Sequence, residues 1–256
     1  MADATAIKVN QLVWVDLATS DTAAARDFYG KLFGWKIDVN PDPQYGGYAL
    51  ATIGEDQVGG IGPTQMSDQP TVWSLYIGTD DAEATAEKAK AAGGTVVAPA
   101  FAVGDQGSMA VLQDPSGAFI SLWQAAAMRP FRSGAANSLG WAELNARGVD
   151  NAISFYRNVF GWTTKVSPMG EGQPDYTEFQ VGGESIAGAT EMNPMVPAEM
   201  PSYWMAYFNV EDVDASYARA MELGAREMLA PQDFPGGRFA IISDPQGAAF
   251  GLLKTA

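Results

Sequence analysis

Two hydrophobic periods alternate along the chain in the same order four times. Leu12 to Leu17 alternates apolar and polar positions with period two, which predicts a strand half-buried on one face. The next stretch places Ala25, Phe28, Tyr29, Leu32 and Phe33 on one face at helical spacing and ends at Gly34. A residue without Cβ closes a helix because it enters the left-handed conformation without strain. YALATIGEDQVGGI then reads as two strands joined by a Gly-rich turn, and the cluster Gly59, Gly60, Gly62 is assigned to that hairpin. No strand–turn–helix context surrounds these glycines, so a phosphate loop is set aside.

The second pass predicts a strand over Val72 to Ile77, a helix over Ala82 to Ala92, and strands around Val96, Met109 and Phe119. The third predicts a strand over Leu139 to Leu144 and a helix with Ala152, Phe155, Tyr156, Val159 and Phe160 inward, ended by Gly161. The fourth predicts a strand over Tyr203 to Val210, a helix over Val213 to Leu223, and strands around Met228, Phe239 and Phe250. Asp21 and Asp150 stand where helix N-caps are expected. Strand, helix and then several strands, taken four times, is an α+β arrangement with helices on one side of curved, mixed or antiparallel sheets.

The third and fourth passes repeat the first and second in sequence as well as in pattern. WVDLATSDTAAARDFYGKLFGW (Trp14 to Trp35) aligns with WAELNARGVDNAISFYRNVFGW (Trp141 to Trp162). Trp73-x-x-Tyr76 recurs as Trp204-x-x-Tyr207, and Asp114-Pro115-x-Gly117 as Asp244-Pro245-x-Gly247. Ala125 to Ala136 between the copies lacks periodicity and mixes Pro, Gly, Ser and Arg, as a linker does. The expected domains are residues 1–126 and 137–256, joined by a linker at 127–136.

Composition narrows the chemistry. Of 256 residues, 47% are hydrophobic, enough to bury a real core in each copy. A formal net charge of −15 argues against nucleic acid and anionic membrane surfaces as partners, and no apolar run approaches the length of a membrane span. The default expectation is a soluble cytoplasmic protein. The chain has no cysteine and no histidine. Thiolate nucleophiles, disulfides, imidazole bases and imidazole metal ligands are therefore excluded, and acid–base work falls to Asp, Glu, Tyr or Lys.

The strand order, FY-x-x-x-FGW after the first helix and DP-x-G before the last strand resemble the vicinal oxygen chelate superfamily, the fold of glyoxalases, bleomycin-resistance proteins and extradiol dioxygenases. The resemblance covers the chain twice. It implies four βαβββ modules in two tandem glyoxalase-type units, with cup-shaped sheets and helices outside. Single-unit relatives dimerise, so a fused chain is expected to be a monomer with an internal pseudo-dimer, or a homodimer. Metal enzymes of the superfamily draw one ligand from each of four strands. The matching positions here are Trp14 and Trp141, Leu50 and Glu178, Ser74 and Met205, and Ser121 and Gly251. Only Glu178 among them is a ligand type, so neither a metal nor another cofactor is expected.

Trp14 and Trp141 would then line the cup, or simply fill the space of a lost metal site. Alternation places Tyr76 and Tyr207 beside Ser74 and Met205, and Trp73 and Trp204 toward the helices. Tyr48 and Tyr176 open the strand that follows the first helix of each copy and join the lining, with Ser121. Asp16 and Glu143 share the face of Trp14 and Trp141, as general bases, ligand anchors or purely structural carboxylates. Glu178 replaces Leu50, so only the second copy offers two carboxylates, one of which is expected to have a raised pKa. The loop MNPMVPAEMP reads as a lid or a plain connection. The leading expectation is a small-molecule-binding protein for an aromatic metabolite or antibiotic, without histidine-bound metal. The alternative is an isomerase, lyase or hydroxylase using Glu143, Glu178 or Asp16 with a Tyr.

Overall fold

The structure is a computed structural model that describes residues 8–66, 68–127, 131–169 and 174–256. Positions 128–130 of the expected linker lie outside the described residues. The first repeat runs β1 (Leu12–Thr19), α1 (Thr22–Phe33), β2 (Lys36–Val39), β3 (Ala49–Ile53), β4 (Asp56–Pro63), β5 (Val72–Gly78), α2 (Ala82–Ala91), β6 (Thr95–Val103), β7 (Gly107–Gln113) and β8 (Phe119–Ala125). The second runs β9 (Leu139–Ala146), α3 (Val149–Phe160), β10 (Thr163–Ser167), β11 (Tyr176–Val181), β12 (Glu184–Glu191), β13 (Tyr203–Asn209), α4 (Val213–Glu222), β14 (Arg226–Phe234), β15 (Gly237–Ser243) and β16 (Ala249–Thr255). The described strands form two eight-stranded mixed sheets of identical order, β2-β3-β4-β1-β5-β8-β7-β6 and β10-β11-β12-β9-β13-β16-β15-β14.

In every module the helix carries the chain back so that the last strand lies parallel to the first: β4 on β1, β8 on β5, β12 on β9 and β16 on β13. Antiparallel hairpins such as β2 with β3 and β15 with β16 complete the modules. No helix among the described residues is long and apolar enough to cross a membrane.

Local signals explain most element ends. Asp21 caps α1 by accepting from the Ala23 and Ala24 N–H groups at 3.1 and 3.0 Å, and Gly34 closes it at φ 70°. The expected cap of α3 is different. Asp150 lies inside the first turn, and Gly148 occupies the cap position with no side chain to offer. Glu191 at the end of β12 does the work, accepting from the Gly148 and Val149 N–H groups at 3.0 and 2.9 Å. The hairpin assignment also needs correction in one copy. Gly182 and Gly183 do form the β11–β12 turn, at φ 62° and 88°. In the first repeat the turn is Gly54-Glu55, and Gly59, Gly60 and Gly62 lie within β4.

Packing groups the described residues into two compact units. One draws on positions 8–13, 75–127, 142–169 and 174–204, the other on 14–66, 68–74, 131–141 and 205–256. Each unit therefore takes a module from each repeat, and the repeated motifs meet inside it. In the second unit Tyr29 of α1 stacks on Trp35, its rings 5.9 Å apart, beside Trp73, Phe208 and Phe250. Its hydroxyl accepts from Trp73 Nε1 at 3.0 Å and donates to Asp244 Oδ2 at 3.0 Å. The other oxygen of Asp244 ties its own Asp-Pro-x-Gly turn through the Gln246 and Ala248 N–H groups. In the first unit Tyr156 accepts from Trp204 at 2.7 Å and donates to Asp114 at 3.0 Å. Buried polar groups tolerate burial only when bonded, and each of these triads bonds its members to one another. Trp73 and Trp204 thus face the helices, as their parity predicts.

Candidate ligand-binding faces

The site begins with the alternation of β1. Val15, Leu17 and Thr19 are buried, so Trp14, Asp16 and Ala18 take the opposite face. The parallel register sets Asp16 against Gly60 on β4, and the antiparallel register sets Gly60 against Leu50 on β3. Directly opposed residues share a face, so Asp16, Gly60 and Leu50 form one row. Tyr48 lays its ring across that row. A Cβ on Gly60 would stand 1.8 Å from its hydroxyl oxygen, so only glycine admits the ring. Lying there, Tyr48 Oη accepts from Trp14 Nε1 at 2.9 Å and donates to Asp16 Oδ2 at 3.2 Å. An indole, a phenol and a carboxylate are joined in one relay.

The second repeat builds the same row from Glu143, Gly188 and Glu178. Tyr176 crosses it, 1.9 Å from where a Cβ of Gly188 would sit, and donates to Glu143 Oε2 at 3.0 Å. Asn145, two residues along β9 and in place of Ala18, donates to Glu143 Oε1 at 3.2 Å. Burial, reinforced by the negative charge of Glu143, pushes the Tyr203 phenol above its ordinary pKa. Glu178 does share the face of Glu143, which strand parity alone left open. It does not supply the expected protonated donor. Hydrogen bonds from Ser185 and then Lys165, the latter at 2.9 Å, hold its carboxyl below the usual range.

The other sequence-derived residues fall into place by strand. Trp141 precedes Glu143 by two on β9 and shares its face by alternation. Tyr76 is buried and sits in register with Ser121 on β8. Tyr207 is buried in register with Gly251, where a Cβ would meet its ring at 2.0 Å. Ser74 and Met205 precede these tyrosines by two on β5 and β13. Arg147 donates to the Val196 and Pro197 carbonyls at 3.1 and 2.8 Å and so fastens the Met-rich loop after β12.

Three contributors were missed in the sequence. Asn145 and Tyr203 were legible in principle, each standing two residues from a named position. Phe131, in the aperiodic linker, carried no signal, yet its ring lies 5.5 Å from that of Trp14.

Comparison with known proteins follows the geometry. The sequence model of the Glyoxalase/Bleomycin resistance protein/Dioxygenase superfamily matches residues 11–122 and again 138–252. A Mycobacterium tuberculosis protein with a provisional glyoxylase name, CFP32, is 40% identical over 251 residues, 95% of this chain and 94% of its own length. The anthracycline biosynthesis protein DnrV of Streptomyces peucetius is 34% identical over 258 residues, 94% and 92% of the two chains. Among solved structures, the Mn(II)-bound glyoxalase of Novosphingobium aromaticivorans aligns with a TM-score of 0.66 at 16% identity, over 96% of this chain and 82% of that one. The 2,2',3-trihydroxybiphenyl 1,2-dioxygenase of Sphingomonas wittichii aligns at 0.65 and 14% identity, over 96% and 90%. These two likenesses concern fold alone.

Whether the residues suit the metal of such neighbours is a question of donors. No histidine or cysteine exists in the chain, and among the described residues no group of three or more acidic side chains is placed to hold an ion. At the first matching position the indole of Trp14 is a hydrogen-bond donor and not a ligand. At the last, in the second repeat, Gly251 lies under the Tyr207 ring. The donor set does not fit a metal held at these positions.

Proposed function

The chain belongs to the Glyoxalase/Bleomycin resistance protein/Dioxygenase superfamily, and on that premise we propose that it binds a planar aromatic small molecule against the faces bearing Trp14, Tyr48 and Asp16 and, in the second repeat, Tyr176 and Glu143. No histidine-bound metal takes part. The observation that carries this reading is the Trp14–Tyr48–Asp16 relay. Two aromatic side chains are fixed in orientation beside a carboxylate, which supplies area for stacking together with a group that orients a polar substituent. The name of the anthracycline relative agrees in kind, since anthracyclines are planar fused-ring compounds.

A second reading is favoured by Glu143. A carboxylate gripped on both oxygens by Tyr176 and Asn145 is held in one orientation, as a general base must be. Under that reading bound ligand is turned over and Glu143→Gln abolishes turnover while binding persists.

Titration of a library of planar aromatics against intrinsic tryptophan emission tests the main reading. Quenching is expected, and Trp14→Phe or Tyr48→Phe should weaken binding to the affected face by about 1 kcal/mol. Unchanged emission across the library would defeat it, as would identical affinities in both variants and in Glu143→Gln.

A further inference from the structure

We propose that the molecule bound is a cation, an amine-bearing planar aromatic, and that the second repeat, through Glu143, is where its charge is read. This rests on the planar-ligand reading above and names the charge class that reading leaves open.

Both faces place a carboxylate on their central strand, Asp16 on β1 and Glu143 on β9, and each accepts from a tyrosine hydroxyl. An anionic ligand would meet a like charge at that point, and a cationic one an opposite charge at hydrogen-bonding range. Two basic side chains beside this face have partners of their own. Lys165 on β10 pairs with Glu178, and the Arg147 guanidinium after β9 binds the Val196 and Pro197 carbonyls. The whole chain carries −15, a field that concentrates cations and repels anions before any contact forms. Burial and, after it, the negative charge of Glu143 raise the pKa of the Tyr203 phenol.

The repeats differ in how much of this they present. Asn145, Glu178 and Tyr203 line the second repeat where the first has Ala18, Leu50 and Val72. In the first repeat the linker also intrudes. Phe131 packs against Trp14, the Arg132 N–H donates to the Gln57 carbonyl at 2.8 Å, and the Arg132 side chain pairs with Asp56 at 3.6 Å. An internal aromatic ring already lies against the indole there, followed directly by a cation. The second repeat's face has the polar groups and the carboxylate.

Calorimetric titration of the full chain with three acridines of one shape separates the possibilities at pH 7.5: 9-aminoacridine is a cation, acridine is neutral, and acridine-9-carboxylate is an anion. The expected order is cation, neutral, anion, with at least tenfold between the first two at low salt and a smaller gap at high salt. Glu143→Gln should remove most of that gap and Asp16→Asn a smaller part. Asp80→Asn, which removes an exposed charge outside both faces, should leave it intact. Equal affinity for the three probes would overturn the inference while leaving the planar-ligand reading standing. So would a preference for the carboxylate, or a gap that survives Glu143→Gln or falls more with Asp16→Asn. Failure of all three to bind would overturn both together.

Discussion

At the scale of single residues, the faces depend on two glycines that have no unusual backbone angle. Gly60 and Gly188 lie inside strands, and what they provide is the missing Cβ over which Tyr48 and Tyr176 lie. A methyl group at Gly188 would have to displace a phenol ring from its carboxylate, and forced repacking of this kind costs about 1–3 kcal/mol. Gly188→Ala is therefore expected to lower the urea midpoint and to weaken ligand binding more than Tyr176→Phe does, since it moves the whole ring as well as breaking the bond to Glu143. A variant with parental stability and affinity would show that the ring's position is immaterial.

At the scale of elements, the start of α3 is held from another strand. Its first N–H groups are satisfied by Glu191 of β12, while Asp150 sits two positions past the cap. Removing a helix cap costs about 0.5–2 kcal/mol. Glu191→Ala should lose an amount in that range by chemical denaturation, and Asp150→Ala distinctly less, since it removes only a favourable charge near the helix start. The reverse ranking would show that the local residue does the capping after all.

At the scale of the whole molecule, stability is concentrated where motifs far apart in sequence meet. Tyr29 and Asp244 are 215 positions apart and bonded at 3.0 Å. Tyr29→Phe leaves both Asp244 Oδ2 and Trp73 Nε1 short of that hydroxyl and should cost about 1–3 kcal/mol. The same triad carries a pH signature. Burial, the largest effect, raises the Asp244 pKa against the opposing hydrogen bonds of its turn and of Tyr29. The folded chain therefore holds this proton to higher pH than the unfolded chain, whose aspartates titrate near about 3.9. The stability from this group is fully present below the unfolded pKa and is lost as pH rises through the folded one. Melting temperatures of the parent minus those of Asp244→Asn should fall as pH increases from about 4. A flat difference would show that Asp244 titrates as in the unfolded chain.

Periodicity and repetition by themselves determined the helix faces, the strand parity of Trp14 against Trp73 and most of the element order, though not the short strands β2 and β10. These follow from local geometry, because a period of two or 3.6 fixes which side chains share a face whatever the partner. The absence of histidine and cysteine likewise settled what the donor set could not be. Other features required the tertiary structure. That Asp-Pro-x-Gly, FY and the module-opening Trp form one buried triad depends on modules from different repeats packing together. That Glu178 shares the face of Glu143 depends on strand register, and its low pKa on Lys165 and Ser185 lying alongside. The caps of α3 and the roles of Gly60 and Gly188 were hidden for the same reason. Each is a contact between segments that pairing brings together, and a one-dimensional pattern holds no distance between them.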